Sequence, residues 1–185
     1  MNNKIFSRYW SIYGGWKALL KSRYFQSSIL ITFLLFPHWS KAGWWNDILS
    51  IMPSLLGFSL GGYAMWMAIG DDDFRKLISG ESKSGKPSPY MDVNAAFVHF
   101  ILLQLISIVL ALFVKAYYFE LSKDSWVYEN LAEYIYIASY FVYFLVYLIF
   151  IYALASTFAA TLALFRVSSW YDLSQSTKSA SDKDD

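Results

Sequence analysis

Four apolar runs, separated by clusters of charged and polar residues, divide the chain at 24–39, 48–70, 95–114 and 134–165. Each of the last three meets the roughly 20 residues an α-helix needs to cross a hydrocarbon core of about 30 Å. The first, about 16 residues and about 24 Å long as a helix, spans only if Tyr24 and Trp39 sit at headgroup level and the bilayer thins locally. Its alternative is a re-entrant hairpin broken at Pro37. Composition supports a lipid setting: 57% of residues are hydrophobic and only 16% charged, outside the usual range of soluble domains. The patterning predicts an all-α, polytopic fold: a four-helix transmembrane bundle over residues 24–172, with an interfacial segment at 1–23 and a disordered tail at 173–185.

The charges set an orientation. Lys4, Arg8, Lys17, Lys21 and Arg23 precede the first run, with no acidic residue before Asp47. Lys41 stands alone between the first two runs, Arg75, Lys76, Lys83 and Lys86 lie between the second and third, and Lys123 follows the third, with Lys115 at its edge. Arg166, Lys178 and Lys183 follow the fourth. Basic residues thus alternate rich and poor, which four crossings with both termini cytoplasmic require under the positive-inside rule; three crossings would leave one basic loop on the wrong side. A cleaved secretory signal is not expected, since the apolar run begins late and Ser40-Lys41-Ala42 is a poor cleavage site. No segment outside the runs exceeds about 25 residues, too few for an independent folded domain.

Residues 1–23 place Ile5, Tyr9, Ile12, Trp16 and Leu19 at helical spacing among basic and polar residues, the pattern of a helix lying in an anionic headgroup layer or of a simple positive-inside anchor. Gly14-Gly15 divides it into two pieces. In the second run, Ser54, Gly57, Gly61, Ala64 and Ala68 alternate spacings of three and four and so share one helical stripe. In lipid, where helices gain little from apolar burial, small residues permit the close backbone approach that drives association. The stripe is a helix-packing face, for another helix of this chain or for the same helix in a second copy. A P-loop is excluded, because G-x-x-x-G-G here lacks the Lys-Ser/Thr and lies inside an apolar run.

Asp71, Asp72 and Asp73 follow Gly70, where the helix is expected to end. Carboxylates at a helix C-terminus are disfavoured, so the triplet reads as a docking patch for a basic partner, a cation site with Asp92 or Asn94, or a solvated cluster neutralised by Arg75 and Lys76. His99 and Gln104 are the strongly polar side chains of the third run. Their alternatives are an intramembrane proton or ion relay and bonds to facing helices. In the fourth run Tyr136, Tyr140, Tyr143 and Tyr147 form one stripe, for a wet groove or an oligomer interface. Ala153, Ser156, Ala160 and Ala163 form a second small-residue stripe, placed to meet that of the second run.

Catalysis is not expected. The chain has no cysteine and two histidines, His38 and His99, predicted near opposite sides of the membrane, and no H-E-x-x-H, G-x-S-x-G or kinase signature occurs. No aspartate lies well inside a run, which argues against an intramembrane aspartyl protease. No catalytic residues, metal or cofactor are expected, and no direct nucleic-acid binding.

The segment PSLLGFSLGGYAMWMAIGDDDF, residues 53–74, resembles small bacterial inner-membrane proteins encoded beside phage-defence genes, including the transmembrane effectors of retron systems. The resemblance covers this segment and the helix arrangement and includes no catalytic motif. It implies a multi-pass inner-membrane effector, held inactive by a cytoplasmic protein or ribonucleoprotein and acting on the lipid bilayer on infection; the small-residue faces would permit its homo-oligomerisation. The alternatives are an accessory or scaffold subunit of a membrane complex, and a small channel or transporter.

Overall fold

The computed structural model describes residues 2–68, 72–80, 87–120, 122 and 124–184, with backbone alone for 2, 3, 72, 73, 77, 128, 174 and 177–184. Eight helices account for the described secondary structure: α1 (Asn2–Tyr13), α2 (Gly15–Lys21), α3 (Arg23–Leu34), α4 (Phe36–Trp39), α5 (Trp45–Ala68), α6 (Asp72–Ile78), α7 (Pro89–Ala116) and α8 (Trp126–Asp184). No strand occurs among the described residues. Three stretches are long and apolar enough to cross a membrane: Trp45–Ala68, Pro89–Ala116 and Glu129–Leu173.

The boundaries have local causes. Gly14 has φ 96°, a left-handed conformation that side chains resist, and a Cβ there would lie 2.8 Å from that of Ala18. The helix therefore breaks as the glycine pair predicts. Ser22 is extended at ψ 124° and separates α2 from α3. Pro37 has no N–H to donate to Phe33, so a continuous helix cannot pass it without loss. α3 stops at Leu34, and Pro37 falls in the first turn of α4. Trp39 Nε1 then donates to the Thr32 carbonyl at 2.7 Å, filling an acceptor that the helix end would leave open. Pro89 stands at the first position of α7, where a missing N–H costs nothing, and Ser88 Oγ accepts from Met91 N–H at 3.3 Å.

The first apolar run is therefore two helices, and α3, at 12 residues or about 18 Å, is not among the stretches long enough to cross alone. The break falls at Leu35, two residues before Pro37. At the other end the tail, expected to be disordered from residue 173, continues α8 as helical backbone to Asp184. Extending an existing helix avoids the nucleation cost that an isolated polar segment bears.

Two compact units divide the chain. The first comprises Met1–Ser22, Phe58–Ile101 and Ser156–Asp185; the second comprises Arg23–Gly57 and Leu102–Ala155. In the first, Trp66, Phe74, Val93, Phe97, Phe100, Ala160 and Val167 form the core. Tyr63 meets Phe97 at 5.4 Å and Trp66 meets Tyr90 at 5.6 Å, so α5 and α7 run antiparallel there. In the second, Trp39, Trp44, Trp45, Ile48 and Met52 pack with Ala111, Val114, Val146, Tyr147, Phe150 and Ala153. Phe25 meets Tyr152 at 5.2 Å and Phe33 meets Phe144 at 5.0 Å. Eight residues forward on α3 match eight back on α8, so these helices are also antiparallel.

Candidate functional site

The small-residue stripe of α5 faces away from the protein. Ser54, Gly57, Gly61, Ala64 and Ala68 are all exposed, whereas Trp45, Ile48, Met52, Ser59 and Trp66 are buried. At about 100° per residue the two sets lie on opposite sides of the helix. A Cβ placed on Gly57, Gly61 or Gly62 would meet no atom within 4 Å. The stripe lies between two ridges that each recur every seven residues, Ile51, Phe58 and Met65 on one side and Pro53, Leu60 and Met67 on the other. Phe58 and Met65 are 78% and 65% exposed. The small residues at three-four spacing thus leave an open seam between two apolar ridges, a pattern that permits close approach by another helix.

The small residues of α8 are placed differently. Ala153, Ser156 and Ala160 are buried and Ala163 is half-buried, with Ala153 and Ala160 each in one of the two cores. The two small-residue faces do not pack on each other, because the one on α8 is used within the chain and the one on α5 is open.

His99 and Gln104 belong to different units. His99 is 6% exposed; its Nδ1 lies 2.7 Å from the Tyr9 hydroxyl, and its ring stacks on Tyr13 at 3.8 Å. The pair Tyr9 and Tyr13, one turn apart on α1, thus holds that helix against α7. Gln104 is fully buried in the second unit with Ser28, Thr32 and Ser107. Ser28 and Thr32 donate to the carbonyls of Tyr24 and Ser28, each at 2.7 Å, the back-bonding that lets hydroxyls enter an apolar helix. These buried serines and threonine were not singled out by the sequence; their i, i+4 spacing at 28 and 32 was the available signal.

Asp71 lies outside the described residues. Asp72 and Asp73 are described as backbone alone, at the start of α6. Arg75 Nη2 donates to the Met67 carbonyl at 3.0 Å, which caps α5. Asn94 Oδ1 accepts from Trp66 Nε1 at 3.2 Å.

The tyrosine stripe divides. Tyr147 is buried between Trp44, at 5.6 Å, and Phe150, at 5.5 Å. Tyr136, Tyr140 and Tyr143 instead line a pocket of 340 Å³ with Tyr117, Tyr118 and Glu120. Trp45 packs on Tyr118 at 4.9 Å and Trp44 on Tyr143 at 5.4 Å, so two tryptophans fix the pocket wall. Tyr118 donates to Glu120 Oε1 at 3.4 Å. Desolvation, and then the adjacent Glu120 carboxylate, hold the Tyr118 phenol above its ordinary pKa and keep it protonated. The sequence signal was the pair Tyr117-Tyr118 close to Glu120 at the end of α7. His38 Nε2, in the same unit, contacts Asp47 Oδ2 at 2.7 Å at the surface.

The chain is an all-helical protein with three stretches able to cross a membrane by length and composition. No protein-family model, curated protein or solved structure matches it.

Proposed function

We propose that this chain is a non-enzymatic, multi-pass protein of the bacterial inner membrane that perturbs the bilayer by self-association, as an effector of a retron-type antiviral system. The observation that carries the reading is the open seam of α5. A helix with its apolar core face already satisfied has no intramolecular use for a second face of small residues between apolar ridges, whereas a second copy of the same helix fits it. The exposed Ile5, Phe6, Trp16 and Leu20 of α1 and α2 would lie in the cytoplasmic headgroup layer. In this reading α3 and α4 together make a fourth crossing, with α3 antiparallel to α8 and both termini cytoplasmic, and a cytoplasmic protein or ribonucleoprotein restrains assembly.

Induced expression is expected to collapse the membrane potential, followed with a voltage-sensitive dye. Gly57→Leu with Gly61→Leu is expected to abolish the collapse at unchanged membrane abundance, because a Cβ at either position meets no atom of the monomer within 4 Å, whereas leucines would separate paired backbones. Depolarisation by the double variant at wild-type abundance would refute the seam. A wild-type chain that co-purifies with other membrane subunits and leaves the potential intact would point to an accessory subunit.

A further inference from the structure

The pocket between the segment after α7, residues 135–143 of α8 and the loop that carries Ser40 and Ala42 has a chemistry that the membrane-effector reading does not use. Five of its lining residues are tyrosines and Glu120 supplies a carboxylate, while no lysine or arginine among the described residues lines it. Its 340 Å³ falls among small-molecule sites, which run from about 300 Å³ upward. In the adjoining sequence Glu120, Asp124, Glu129 and Glu133 stand with Lys115 and Lys123, and Lys41 falls between the lining residues Ser40 and Ala42. The Glu120 carboxylate in the wall raises the local concentration of a cation.

An anion is disfavoured by that field. A hard divalent cation needs six or more oxygens at about 2.0 to 2.6 Å, and one carboxylate with phenols does not supply them. What the walls offer is electron-rich ring faces beside a negative charge, which suits a cation of low charge density whose dehydration is cheap. We infer that this pocket binds an alkylammonium group, with the tyrosine rings contacting its methyl or methylene groups and Glu120 balancing its charge. The group arrives either as a phospholipid headgroup or as a free organic cation, and both present the same chemistry. The packing of Trp44 on Tyr143 and of Trp45 on Tyr118 behind the pocket holds these two rings in place, which lowers the ordering cost of binding.

The test is calorimetric titration of the full-length protein in nanodiscs with choline and with 3,3-dimethylbutan-1-ol, its uncharged carbon isostere. In phosphatidylglycerol nanodiscs choline is expected to bind at least about tenfold more tightly than the isostere, the scale of two or three exposed cation–π contacts. Glu120→Gln and Tyr140→Leu should each weaken choline by about five- to tenfold, while Tyr140→Phe, which keeps the ring face, should bind as wild type. Weaker apparent choline binding in phosphatidylethanolamine nanodiscs identifies the lipid headgroup as the occupant, and equal binding in both identifies a soluble cation. Equal affinity for choline and the isostere, no choline binding in either nanodisc, or wild-type affinity in both Glu120→Gln and Tyr140→Leu overturns the inference.

Discussion

A single side chain often carries two readings that only its neighbours separate, and His99 is the example here. As the one ionisable residue in the apolar stretch of α7, it fits a relay as well as a structural contact. Its Nδ1 within 2.7 Å of the Tyr9 hydroxyl and its stacking on Tyr13 make it the anchor of α1. Removing that hydroxyl with Tyr9→Phe is expected to cost about 1 kcal/mol and to release α1 first. Proteolysis of the N-terminal helix should then quicken about fivefold, with the rest of the chain protected; an unchanged cleavage rate would mean that α1 is held otherwise. Gly57 and Gly61 make the same point in reverse. Their spacing showed which face they share, but not whether another helix of this chain already occupies it.

At the scale of elements, most helix ends follow from residues whose backbone chemistry is decisive. Gly14, Pro37 and Pro89 act within a turn of themselves; the break in the N-terminal segment was legible, whereas α7 starts at Pro89, six residues before the apolar run at 95. The division of the first run at Leu35 was less legible, because a run of apolar residues does not record where a hydrogen bond is lost. Pro37→Ala restores the missing N–H and removes a ring worth about 3 kcal/mol inside a helix. It should fuse α3 and α4, seen as slower amide exchange over residues 35–39; unchanged exchange there would show that the Trp39 bond to Thr32, not Pro37, imposes the break.

At the scale of the whole molecule, the alternation of basic residues predicts sides that can be read directly, and the cysteine-free chain allows single labels. A membrane-impermeant maleimide should modify Ser122→Cys in intact spheroplasts and Arg8→Cys only after permeabilisation. Modification of both from outside would mean that α3 and α4 do not cross and that three stretches span. The sequence by itself determined the helical class, the number of long apolar stretches and the stripes along them, because length, hydropathy and periodicity are properties of a helix taken alone. Which stripe is buried was decided only by tertiary structure: each core of aromatic side chains selects one face of each helix. Packing used the small residues of α8, left those of α5 open, and split the tyrosine stripe into one buried ring and three that line a pocket.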